Sequence, residues 1–68
     1  MTNTIINTNK VSAIKSRSTD KLLIKVSRVA YGEIENNDTI IVYRRATQSI
    51  VHSIIVFAEK NNLQIKFI

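Results

Sequence analysis

One histidine, five carboxylates and no cysteine are all that a catalytic or metal centre can draw on in this 68-residue sequence. A Ser-His-Asp arrangement must recruit His52, which falls on the polar side of an amphipathic helix, away from any cleft such a triad needs. A thiolate nucleophile or a thiolate zinc site is excluded outright, and a structural zinc site lacks donors. Glu33, Glu35 and Asp38 gather around one polar turn. They lack the glycine and terminal glutamate of a calcium loop and read as a solvated turn. The single glycine, Gly32, rules out a glycine-rich phosphate loop. The chain is therefore read as a non-enzyme with no cofactor.

The basic residues carry more information. Ten Lys and Arg against five Asp and Glu leave a net charge of +5 and a pI of about 10.0. That field favours nucleic acid, an anionic surface or an acidic protein partner. The charge is uneven: Lys10, Lys15, Arg17, Lys21, Lys25 and Arg28 precede the acidic turn, and Arg44 and Arg45 follow it. A hairpin brings Lys25, Arg28, Arg44 and Arg45 onto neighbouring strands away from that turn, where they meet phosphates in a salt-dependent manner. Tyr43 beside them supplies a planar surface for an unpaired base. Lys10, Lys15 and Arg17 add contacts from an N-terminal arm that orders on binding. No ribonucleoprotein aromatic motif, KH-type loop or metal-finger spacing accompanies these residues. The bland reading of each is a solvated strand end for Arg44 and Arg45 and a core position for Tyr43. Phe57 and Phe67 read as packing.

These residues need elements to hold them. Residues 1–20 are rich in Thr, Asn and Ser, whose side chains compete for backbone hydrogen bonds. Ile5, Ile6, Val11 and Ile14 sustain neither period, so the segment reads as a flexible or partly ordered arm, and residues 21–68 as one α+β domain. Leu22, Ile24 and Val26 alternate with Leu23, Lys25 and Ser27, a half-buried strand with Lys25 outward. Gly32 marks a bend or bulge, and Asn36-Asn37-Asp38 tolerate left-handed turn geometry. Thr39 to Arg45 is β-branched and aromatic, the composition of a second strand. At 100° per residue, Ile50, Val51, Ile54, Ile55, Phe57 and Ala58 fill one arc of roughly 160°, predicting a helix over about 47–60 with Val56 the apolar intruder on the polar side. Thr47 suits its N-cap and Asn61-Asn62 its left-handed C-cap. Leu63, Ile65 and Phe67 alternate to a last strand. The expected fold is a two-layer sandwich, the helix packed on a three- or four-stranded antiparallel or mixed sheet in the order β-β-α-β.

The run from Tyr43 to Ile50, and then Phe57-Ala58-Glu59-Lys60-Asn61-Asn62-Leu63-Gln64-Ile65-Lys66-Phe67, resembles small uncharacterised bacteriophage proteins. Those show a strand, an Arg/Ser-containing helix start, a helix end of the type Ala-Lys-Lys-x-Gly/Asn and a basic final strand. The resemblance implies a phage or mobile-element accessory protein and no defined activity.

No apolar run approaches the roughly 18–20 residues that span a bilayer. Met1 to Asn9 carries no charge pattern of a secretion signal. The expected location is the cytoplasm of a bacterial or phage-infected cell. The leading expectation is a small basic accessory or regulatory protein that binds nucleic acid through a basic sheet face. The alternative is a protein-binding module, such as a phage-encoded inhibitor of a host protein, docking on an acidic surface. Exposed Val56 and Ile68 and a possible open edge on the last strand favour that alternative, and marginal size with a free sheet edge also invites homo-dimerisation.

Overall fold

A computed structural model describes residues 10–68 as five strands and a helix. The strands are β1 (Val11–Lys15), β2 (Leu22–Val26), β3 (Val29–Glu35), β4 (Thr39–Val42) and β5 (Gln64–Phe67), and the helix α1 spans Gln48–Lys60. They form one sheet in the order β1-β2-β3-β4-β5, antiparallel throughout except for the parallel pair β4–β5 that the helix bridges. The α+β class is as the sequence implies. The element order is β-β-β-β-α-β, with a mixed five-stranded sheet.

Two elements differ from the sequence expectation, each for a local reason. Val11–Lys15 lies inside the segment expected to be an arm, yet it pairs with β2 from Val11↔Val26 to Lys15↔Leu22. Val11 becomes fully buried, so one deep apolar contact does what a sustained period would have announced. Residues 1–9 of that expected arm lie outside the described residues. The second difference is β3. The strand from Leu22 stops at Val26 because Ser27 and Arg28 both take left-handed backbone angles, φ 52° and 70°. Paired positive φ values of this kind make the tight turn that matches strand twist. The chain therefore reverses there, and β3 separates the two strands expected to be hairpin partners.

Other expectations hold. Asn36 and Asn37 both adopt left-handed angles, and Asp38 donates to the Glu35 carbonyl at 3.2 Å, closing the β3–β4 hairpin. Gly32 sits at an irregularity where the β2–β3 register slips by one residue and Tyr31 is the extra one. Its hydrogen-only side chain also has a packing reason: a Cβ there would stand 2.6 Å from the Ile41 carbonyl oxygen of β4. At the end of α1, Asn62 is left-handed, and the Leu63 and Asn62 amides return to the carbonyls of Ala58 and Glu59. That double return satisfies carbonyls the helix would leave bare. At its start Thr47 has the extended geometry of an N-cap, but its hydroxyl makes no capping hydrogen bond; its carbonyl accepts from Val51 instead.

The core is one layer thick. Val11, Ile24, Val26, Ile34, Ile40 and Val42 from the sheet meet Ile54, Phe57 and Ala58 from α1. Phe57 is fully buried, as its place on the apolar arc requires, whereas Phe67, expected to pack, is 58 % exposed on the outer strand. Val56 is exposed as its position on the helix dictates. The helix covers one face of the sheet, and no other described element covers the opposite one, the uncovered face. Strand pairing puts Ile14, Leu23, Glu33, Ile41 and Lys66 in one row across the uncovered face.

Candidate functional site

The register sorts the charged residues into two ends. At one end lie the β1–β2 connection, the Asn36-Asn37 turn and the C-terminus of α1. Four cations there (Lys15, Arg17, Lys21, Lys60) face four acids (Asp20, Glu35, Asp38, Glu59), so this end carries no net charge. Lys15 pairs with Asp20 at 3.1 Å. The other end and the uncovered face hold the remaining six cations, Lys10, Lys25, Arg28, Arg44, Arg45 and Lys66, against Glu33 alone. The entire excess of +5 falls there.

Three segments build the basic end. Lys10 precedes β1, Arg28 occupies the β2–β3 turn, and Arg44 and Arg45 leave the end of β4. Val11 stands opposite Val26, and the Tyr43 amide donates to the Tyr31 carbonyl at 2.9 Å, so these segments are held side by side. All four side chains are exposed. No carboxylate among the described residues lies within ion-pair distance of them. The N-terminus of α1, with no acid in its first turn, points the positive end of its dipole the same way. Arg28 holds its left-handed angle at a cost of about 1–2 kcal/mol for a residue with a Cβ, in a position that glycine or asparagine ordinarily fills.

The uncovered face carries Lys25, Tyr43 and Arg45. Lys25 pairs between Ser12 and Ala30 with its side chain half-buried. Tyr43 lies on this face, neither in the core nor free to stack on both sides. Its hydroxyl donates to Glu33 Oε1 at 3.0 Å, and the Arg45 guanidinium sits over its ring, 5.8 Å from the centroid. Glu33 has left the expected acidic turn for mid-β3. Lys21 Nζ donates to its Oε2 at 3.1 Å. The Lys21 hydrogen bond, and then that of Tyr43, hold the Glu33 carboxyl below its ordinary value. Burial, and then the bond to Glu33, push the Tyr43 phenol up, so at neutral pH it is a hydrogen-bond donor that pins Arg45's platform.

Of the eight residues the sequence singles out, the fold thus gathers Lys10, Lys25, Arg28, Tyr43, Arg44 and Arg45. It sends Lys15 and Arg17 to the neutral end. Lys66 was not singled out, although its parity with Gln64 on the last strand already placed it on the polar side. In the sequence Glu33 reads as a turn acid, because the Ser27-Arg28 reversal that shifts it into a strand has no familiar turn signature.

Two hollows frame the site. One, of about 460 Å³, lies between Lys10, Val26, Ser27, Ser49, Ile50 and Ser53 at the basic end. The other, of about 520 Å³, lies at the neutral end among Lys15, Asp20, Lys21, Asn36 and Asn37 and reaches Glu33 on the uncovered face. Among the described residues no helix is long and apolar enough to cross a membrane, and no three of His, Asp and Glu converge on a metal-sized point. Comparison of the chain with family models, with curated proteins and with solved structures finds no match.

Proposed function

We propose that the protein is a small basic accessory protein, of the phage or mobile-element kind its C-terminal half resembles, that binds the phosphate backbone of nucleic acid in the cytoplasm of a bacterial or infected cell. The observation that carries this reading is the segregation of charge: the whole +5 excess lies on one end and the uncovered sheet face. Lys10, Arg28, Arg44 and Arg45 contact phosphate. Lys25 and the Tyr43–Arg45 pair extend the surface toward an exposed base, with one ring face of Tyr43 already occupied. Lys15 and Arg17 contribute only long-range attraction, because Asp20 and its neighbours offset them. No feature of the site reads a base edge, so binding is sequence-tolerant.

The test is a fluorescence-anisotropy titration with duplex DNA, single-stranded DNA and RNA. Four phosphate contacts predict a log–log salt slope of about −3.6 on duplex and about −2.8 on single strands. Raising salt from about 50 to 200 mM then weakens duplex binding by roughly 150-fold. The double variant Arg44→Ala/Arg45→Ala should lose half that slope, so that the same salt step costs only about 12-fold. Absence of binding at low salt, or an unchanged slope in the double variant, overturns the proposal. A single stoichiometric protein recovered after nuclease treatment would instead favour the inhibitor-like reading, in which the same basic end grips an acidic protein surface.

A further inference from the structure

We propose that the free edge of β5 is a self-association surface, where a second copy of this chain continues the sheet in an antiparallel register centred on Ile65. The nucleic-acid reading is not needed for this. Among the described residues the outer edge of β5 has no neighbour. Gln64 and Ile68 direct their amides inward, to the carbonyls of Asp38 and Val42 on the β4 side. By strand alternation Ile65 and Phe67 direct theirs outward, leaving an unpaired row. Two of the devices that usually blunt such an edge, proline and a bulge, are missing from this four-residue strand. The chain contains no proline, the β4–β5 register runs without a bulge, and Lys66 is the one charge on the strand.

The edge is also apolar. Phe67 is 58 % and Ile68 64 % exposed. Ser49, Ile50 and Ser53 of α1 line the hollow beside Lys10 and Val26, so the opposite flank of the helix, with the exposed Ile55, overhangs the β5 side.

The choice of a second copy rests on how the strand reads against itself. Two copies related by a two-fold axis perpendicular to the sheet keep both helices on one face, which requires paired residues of equal parity. Centring on Ile65 lets Ile65 exchange hydrogen bonds with its own equivalent, and lets the Phe67 amide reach the Leu63 carbonyl of the other copy in both directions. The Leu63 amide is not needed, being already bonded to the Ala58 carbonyl. In this register Leu63 covers Phe67 on the helix side, and Gln64 meets Lys66 on the uncovered side. Centring on Lys66 instead sets two ammonium groups directly opposite each other, which is unfavourable. The strand is thus self-complementary in the register centred on Ile65.

The experiment is sedimentation equilibrium of the full chain without nucleic acid, from micromolar to millimolar concentration. The particle mass should rise from 7.7 kDa toward twice that value. Gln64 is exposed, so its substitution leaves the fold intact, which far-UV circular dichroism checks. Gln64→Glu places a carboxylate opposite each Lys66 and should tighten the dimer roughly two- to thirtyfold, while Gln64→Lys should loosen it by a similar factor. A mass of one chain at every concentration, or a dimer that responds to neither variant, overturns the proposal.

Discussion

Replacing the single glycine by alanine separates two opposing physical effects. Viewed as a residue in a strand, Gly32→Ala should stabilise the protein by about 0.4–1 kcal/mol, because alanine leaves the unfolded chain less entropy to lose. The fold predicts the opposite sign. An added Cβ would meet the Ile41 carbonyl oxygen at 2.6 Å, where ordinary contact begins at 3.4 Å, so β3 and β4 must separate by about 0.8 Å. The Cβ position is fixed by the backbone and the oxygen is part of it, so no rotamer change relieves the clash. Overpacking of this kind costs about 1–3 kcal/mol. Widening the pair also stretches the bond from the Tyr43 amide to the Tyr31 carbonyl, worth about 1 kcal/mol. The expected net loss is about 2–3 kcal/mol, against a total stability of about 3–10 kcal/mol for a domain of this length. With a urea slope near 1 kcal/mol/M, the unfolding midpoint should fall by about 2–3 M. Urea titration followed by far-UV circular dichroism reads this directly. The same strand separation displaces Arg44 and Arg45, so the folded fraction of the variant should also bind oligonucleotide more weakly. A variant at least as stable as the parent would refute the claim that close approach of β4 is what requires glycine here.

Arg28→Gly should stabilise the fold by about 1 kcal/mol by relieving the left-handed strain, while reducing the duplex salt slope by about 0.9; calorimetry and anisotropy check the two halves, and a slope left unchanged would remove Arg28 from the phosphate-binding set. The Glu33 carboxyl, held below its ordinary 4.5 by Lys21 and Tyr43, contributes stability that is present above that value and is lost as pH falls through the lowered one. Tyr43, raised above its ordinary 10.0, contributes stability that is present below 10.0 and lost as pH rises beyond it. Denaturant midpoints against pH should therefore fall at both extremes, and Glu33→Gln should flatten the acid limb below pH 4.5; parallel acid limbs in parent and variant would show that the Lys21–Glu33–Tyr43 cluster is not what the acid limb reports.

The basic end illustrates how a weak sequence signal becomes a defined surface. Arg44 and Arg45 were legible as a pair because they are adjacent. Their neighbourhood with Arg28 was expected from a single hairpin, but the route was not: two strand reversals, with β3 between, bring Arg28 to their end, and β1 rather than a loose arm brings Lys10. Tyr43 shows the converse. Its neighbourhood with arginine was readable, but its hydroxyl's engagement with Glu33 depends on Glu33 lying in a strand beside Ile41, which follows from where the preceding turn falls.

Composition and periodicity by themselves determined that this chain makes an amphipathic helix near residues 48–60, that Leu22–Val26 and the stretch from Thr39 are strands, that Asn36-Asn37 turns, and that the surplus charge is positive. These are short-range properties, set by side-chain alternation and by the backbone angles that asparagine tolerates. Tertiary structure decided the rest. Val11 drew a polar segment into the sheet by finding a buried place opposite Val26. Ser27 and Arg28 take a turn neither residue prefers, and the reversal there lets Ile24, Val26 and Ile34 bury on one face. That reversal set which cations share an end and which strand was left at the edge. Register is a property of pairing, and pairing is decided by the energy of a whole face closing against α1 rather than by the preference of any residue along it.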